Sequence, residues 1–549
     1  MTSAPITEAD IAGAERLLGI ALTSRERAQM AGNLDGQIGS AIARRGVALP
    51  NDAPMASRFD PRLPGFAMPA AGPLHWSRDT APLPGSEEDI AFAPVTQLSG
   101  WIREGALTSR RLTEIYLGRI AALNPRLSCF ATVTPDRALA EADAADALTR
   151  GGVNLGPLHG IPYGLKDLFD TKGILTGWGA EPFMDRMPDT DARIVTLLRQ
   201  AGAVLLGKTS LGALAYGDIW YGGRTRNPWN LDEGASGSSA GSASAIAAGL
   251  CGFSIGTETL GSITSPSERC GATGLRPTFG RVSRTGGMAL CGSLDKVGPI
   301  CRSVEDTAMV LAAINGGDTE DRGSIHAPFS FDATRAIEGL RLGYLPEAFE
   351  DGATETDHAA LEVARDLGIE MVEMALPDLP YASLINILYA EAAAAFEDLT
   401  LSGADDTLTW QDDGAWPNTF RKARFLSAVD HVQLDRLRYR VMQALDTAFA
   451  DVDAMIGPFS TGPMLVASNF TGHPCLHLRA GFEQIATRGA SSLGSGALRR
   501  GTAGEGPPHL VPRGISLWGG LFDEGTILAL GQALESAFRV RDRRPELAP

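Results

Sequence analysis

The sequence is short of the features that define several common protein classes. Its six cysteines (Cys129, Cys251, Cys270, Cys291, Cys301, Cys475) are scattered over 549 residues without a CxxC pair or a metal-ligand spacing. That excludes a disulfide scaffold or a zinc module and leaves buried free thiols as the expectation. No apolar run reaches the roughly 18 residues of a membrane span. The N-terminus MTSAPITEAD lacks a basic region followed by an apolar one, so no secretory signal is expected and a cytoplasmic location is. Basic residues are outnumbered, 48 against 65, for a net charge of −17, which disfavours nucleic acid and anionic membrane as partners. What is plentiful is glycine (64) and proline (33) in a chain that is 44% hydrophobic, the composition of a loop-rich enzyme with a large core.

Along the chain the composition shifts twice. Residues 1–45 alternate apolar and charged positions at helical spacing, with Thr7 and Thr23 as N-caps answered three residues later by Asp10 and Glu26. Residues 46–89 are rich in Pro, Ala and Gly and read as a linker laid over the body. From residue 90 to 540, apolar strands alternate with helices: Phe130 to Val133, the strand carrying Lys166, the helix Arg193 to Gln200 and the strand after it, the pair Leu340 to Leu345 and Met371 to Leu376, and a closing helix Thr526 to Phe538. This alternation is the α/β signature. Within it, 485–509 is poor in apolar residues and rich in Gly, Ser and Arg, and is expected to be a flexible surface insertion.

The stretch from Gly234 to Pro266 is the one the rest is built around. It holds small residues, regularly placed hydroxyls and almost no charge. Ser238 opens a run of Ala, Ser and Gly that predicts a closely packed helix, Cys251 to Ile255 predicts a short buried strand, and Thr257-Glu258-Thr259-Leu260-Gly261 turns the chain to present Ser262. A helix followed by a returning strand can bring the two serines together. Upstream, Lys166 sits among Ile161, Tyr163 and Leu165, an apolar surround that would lower its pKa. Taken alone, that segment also allows a surface lysine paired with Asp167.

The order Lys166, Ser238, Ser262 resembles the amidase signature family of Ser-Ser-Lys hydrolases. Lys208-Thr209-Ser210, Asn227-Pro228-Trp229, Gly274-Leu275-Arg276-Pro277-Thr278 and Phe470-Thr471-Gly472-His473-Pro474 fall where that family has similar runs. The resemblance implies a mixed, mostly parallel sheet flanked by helices on both faces. It implies Ser262 as acylated nucleophile, Ser238 as proton relay behind a cis Gly237-Ser238 bond, and Lys166 as base, with no metal or cofactor. The backbone N–H groups of Thr259, Leu260, Gly261 and Ser262 become the oxyanion hole. The substrate is then a small amide, with aryl amides and carbamates included, and Tyr216, Trp220 and Tyr221 are candidate walls for its acyl group. A homodimer is compatible with this reading. The alternative is the glutamine-hydrolysing A subunit of a tRNA-dependent amidotransferase. Two positions depart from the family's Gly-Gly-Ser-Ile-Arg: Leu260 stands for the first Gly, and Thr264 for the Arg. The second removes a positive charge and weighs against an acidic or amino-acid substrate.

Two other motif matches lack their context. Gly237-Ser238-Ser239-Ala240-Gly241 fits G-x-S-x-G with Ser239 as nucleophile, but the segment before it is polar rather than a strand. Gly202 to Thr209 fits the P-loop expression, but its variable positions are Ala-Val-Leu-Leu, a strand and not a phosphate loop.

Overall fold

A computed structural model describes residues 5–78, 81–350, 352–459, 461–489, 492–494, 497–499 and 506–547. Eleven strands form the central sheet. In chain order they are β1 Phe130–Val133, β2 Pro162–Lys166, β3 Val204–Thr209, β4 Phe253–Glu258, β5 Thr273–Arg276, β6 Lys296–Cys301, β7 Arg341–Tyr344, β8 Glu370–Glu373, β9 Ala454–Pro458, β10 Cys475–Ile485 and β11 His509–Gly519. In space the order is β8-β7-β9-β11-β10-β5-β6-β4-β2-β3-β1. Successive side chains of a strand face opposite sides. On β10, Leu476 meets Gly531 of the helix Glu524–Phe538, and His477 comes within 3.3 Å of Glu268 in the helix Thr264–Cys270. Helices therefore cover both faces.

The sheet is mixed, as expected, but not mostly parallel: six of its pairings are antiparallel and four parallel. Strands read from helix–strand alternation pair in parallel at the two sides, β4 with β2 with β3 and β9 with β7 with β8. Between them lie β11, β10, β5 and β6, and no apolar run announces the last three. β6 is Lys-Val-Gly-Pro-Ile-Cys, and a central strand holding Pro299 departs from the usual confinement of proline to sheet edges.

Local capping follows the sequence closely. Thr7 and Thr23 each form a capping box, with Asp10 and Glu26, at the starts of helices Glu8–Leu18 and Ser24–Ala31. These helices are tied to each other by Arg27 and Glu15 at 2.8 Å, and the next, Leu34–Arg45, reaches the body through Arg44 and Glu397 at 2.7 Å. The proline-rich stretch is bonded down at Asn51, whose side chain exchanges two hydrogen bonds with Ala289, and at Leu74–His75, which pairs with Phe331–Asp332. All six cysteines are buried and free.

The 485–509 run joins β10 to β11, whose ends pair at Ile485 and His509. Its first residues are not loose surface: Arg488 is buried against Glu233 at 2.6 Å. Further on, Ser492–Gly494 pairs with Ala497–Arg499. Residues 490–491, 495–496 and 500–505 lie outside the described residues, so the expectation of flexibility there has no counterpart.

Candidate active site

Lys166 ends β2 with its side chain fully buried, and hydroxyls meet its amine on several sides. Nζ lies 2.9 Å from Ser238 Oγ, 3.0 Å from Ser239 Oγ and 2.8 Å from Thr257 Oγ1. No carboxylate is within ion-pair distance among the described residues, because Asp167 turns instead to Lys208 at 3.4 Å. Burial brings the Lys166 pKa down to about 7, against the opposing pull of the Asp295 and Glu258 charges. The amine is therefore largely neutral slightly above neutral pH, with a lone pair to offer. Ser239 cannot fill that lone pair: its hydroxyl donates to the Thr257 carbonyl at 3.1 Å, while its oxygen accepts from the Thr257 N–H at 3.2 Å. That leaves Ser238 and Thr257 as the hydroxyls able to donate to Nζ.

Ser238 follows a cis peptide bond from Gly237. A side chain at 237 would collide with the Gly217 carbonyl oxygen, so glycine is the residue that lets the two segments touch. The Ser239 N–H donates to the Ser262 carbonyl at 3.1 Å, which fastens the segment carrying Ser238 to the one carrying Ser262. Ser262 lies between β4 and the helix Thr264–Cys270. The turn is clamped by Glu258, whose Oε2 accepts from the Ile263 and Thr264 N–H groups at 2.9 Å each and from the Thr264 hydroxyl at 3.1 Å. Its other oxygen takes Arg276 of β5 at 2.7 Å, a buried ion pair in which the two charges offset each other. Burial alone would raise the Glu258 carboxyl; Arg276 and the Thr264 amide overcome this and hold it at about 2. Among the described residues, no protein group accepts from the N–H groups of Thr259, Leu260, Gly261 or Ser262. They are donors without acceptors beside Ser262.

Ser262 opens into a pocket with Tyr216, Leu260, Leu290, Leu388 and Trp416 on its walls. Tyr216 stacks on Trp410 at 5.0 Å and tilts against Trp416 at 5.1 Å, making one aromatic side. No charged side chain lines it among the described residues. Trp220 and Tyr221 do not line it. The hairpin Ile219–Trp220 with Gly223–Arg224 turns them onto each other at 4.9 Å, and the Tyr221 ring rests by Gly177. Sequence reading missed Leu388 and Trp416, which come from helices far along the chain, and the hydroxyls of Ser239 and Thr257 as partners of the lysine. The Ser/Thr richness of the central stretch was the available signal for the latter. It also missed Asp295, which accepts from the Thr259 hydroxyl at 2.6 Å and from the Leu290 and Cys291 N–H groups at 2.9 Å each, tying the turn to the pocket wall.

Comparisons with known proteins give the family and the fold. The family described as Amidase matches residues 111–475. The A subunit of the glutamyl-tRNA(Gln) amidotransferase of Geobacter metallireducens is 35% identical over 476 residues, covering 81% of this chain and 96% of that protein. Among solved structures, the native peptide amidase from Stenotrophomonas maltophilia superposes with a TM-score of 0.69 at 30% identity, covering 83% of this chain and 98% of its own. An inhibitor-bound chain from a vestigial complex, described as revealing the origins of an s-triazine catabolic enzyme, has a TM-score of 0.70 at 28% identity, covering 81% of this chain and 98% of its own.

Proposed function

This chain belongs to the amidase signature family of C–N hydrolases, and from that premise we propose that it cleaves a small carboxamide through an acyl ester on Ser262. Ser262 Oγ attacks the carbonyl carbon, its proton passes to Ser238 Oγ, and the Ser238 proton passes to neutral Lys166 Nζ. The carbonyl oxygen, now negative, is received by the N–H groups of Thr259 to Ser262. On collapse the C–N bond breaks and the leaving nitrogen takes the proton back along the same path. Water then repeats the sequence and frees the acid. The observation that carries this reading is the buried Lys166 amine, 2.9 Å from Ser238 and, among the described residues, without a carboxylate in ion-pair contact.

Two readings of the amide follow. The relatives favour glutamine: an amidotransferase A subunit is 35% identical across nearly its whole length, and in that reading the chain works with a partner protein. None of the named relatives speaks for aryl amides or carbamates. What supports those is the pocket itself, whose aromatic and aliphatic wall suits an uncharged acyl group better than a zwitterion. In this second reading the chain is active alone or as a homodimer. Hydrolysis of glutamine, a primary amide, an anilide and an aryl carbamate, by the wild type and by Lys166→Ala, separates them. Glutamine turnover, raised by a partner, selects the first reading; anilide or carbamate turnover by the chain alone selects the second. Turnover of any amide that survives in Lys166→Ala overturns the shared mechanism.

A further inference from the structure

A second cavity, of about 290 Å³, shares no lining residue with the Ser262 pocket. It lies at the far end of the helix Ala240–Ala247, whose eight residues span about 12 Å from the Ser239 side. The chain as a whole carries −17, yet five arginines and two aspartates line this space.

The arginines find hydrogen-bond partners, and carboxylates answer only some of them: Asp306 acts on Arg302 from a distance. Arg302 donates to the carbonyls of Cys251 at 2.7 Å, Ala93 at 3.0 Å and Gly252 at 3.2 Å, and its Nε is buried with no partner. Arg479 donates to the carbonyls of Arg541 at 2.6 Å and Arg543 at 3.2 Å, which pins the C-terminal segment over the cavity. Carbonyls satisfy N–H donors without cancelling charge. Arg544 is paired with Asp89 at 2.8 Å, while Arg541 has Asp542 only at 3.9 Å. The Arg543 guanidinium lies 5.0 Å above the Phe482 ring and has no carboxylate within 4 Å among the described residues. Glu535, which the Arg541 and Arg479 charges reach, does not compensate them at neutral pH, since burial raises its carboxyl to about 8. Guanidinium forks gathered around an empty volume match a pair of oxygens on a carboxylate or a phosphate. Trp101 and Pro82 supply an apolar side to the same space.

We propose that this cavity binds a small organic oxyanion, a phosphate ester or a carboxylate, with its oxygens toward Arg302, Arg541 and Arg543 and its apolar part toward Trp101. The test is calorimetric titration of the full chain with inorganic phosphate, phenyl phosphate and benzoate, at ionic strength matched with chloride so that general screening is constant. Saturable binding of phenyl phosphate or benzoate at one per chain is expected, tighter than inorganic phosphate, and its dependence on Arg541 and Arg543 separates it from binding in the catalytic pocket. The double variant Arg541→Ala/Arg543→Ala, which removes two exposed side chains, should weaken it about tenfold or more and leave amide hydrolysis unchanged. Arg302→Met should weaken it by a similar factor. Absence of saturable binding for all three probes, or equal affinity in wild type and the double variant, overturns the proposal.

Discussion

Lys166 and Lys208 leave adjacent strands, β2 and β3, whose register sets Lys166 opposite Thr209 and Leu165 opposite Lys208. Both are fully buried, and burial lowers the pKa of each. Their partners differ. Lys208 donates to the Phe169 carbonyl and the Thr176 hydroxyl, both at 2.7 Å, and has the Asp167 carboxylate at 3.4 Å. Lys166 has hydroxyls and one long carbonyl contact, with Asp295 and Glu258 acting only from a distance. A counter-charge in contact opposes the loss of the proton and ties a buried lysine into the structure; hydroxyls in its place leave it free to gain and lose a proton. The neighbouring residue in sequence, Asp167, thus belongs to the other lysine.

The sharpest way to break this comparison is Lys166→Ala. Amide hydrolysis should fall by about 10⁴-fold or more while the fold is kept, as seen by steady-state kinetics beside a melting curve. Lys208→Met should do the reverse, lowering stability by about 3 kcal/mol in denaturant titration at pH 8 by leaving the Asp167 carboxylate unpaired. Burial already raises Asp167 to about 6, above its ordinary value. A raised carboxyl pKa means the native state holds the proton more tightly than the unfolded chain, so stability falls as pH rises through that range. The Lys208→Met penalty should therefore shrink at pH 5; an equal penalty at both pH values contradicts the assigned pairing.

Smaller effects sharpen the picture. With Lys166 at about 7, kcat/KM should climb about tenfold per pH unit below that value and level off above it. A flat profile between about pH 6 and 8 would remove Lys166 as the base. Ser239→Ala takes away an acceptor that favours the ammonium form, so the same inflection should move to lower pH, by less than about one unit. A shift upward would mean that Ser239 donates to Nζ instead.

What was legible carries local signals: Thr7 and Thr23 cap helices with their own near neighbours, and the hydroxyl-rich run around Ser238 and Ser262 stands out by composition. The elements that escaped are defined by distant partners. β6, with Lys296, Gly298 and Pro299, is held as a strand by β4 and β5 and not by its own propensity. The helical stretch after residue 384 breaks at Phe396, between Ile385–Ala395 and Glu397–Ser402. Phe396 is 3% exposed and stacks on Phe420, a contact invisible in the local pattern. The pocket wall escaped for the same reason, since Leu388 and Trp416 reach Ser262 only through tertiary packing.

The six buried thiols turn the chain into its own unfolding gauge. In the native state none is offered to a water-borne alkylating reagent, and burial pushes the thiols of Cys129, Cys251, Cys270, Cys291, Cys301 and Cys475 up, away from the reactive thiolate. Cys251 leads into β4, beside the Lys166 strand, Cys301 ends β6 one strand further on, and Cys475 opens β10 two strands beyond that. The order in which these sulfurs become labelled as denaturant rises would therefore report which half of the sheet lets go first, without a single engineered probe.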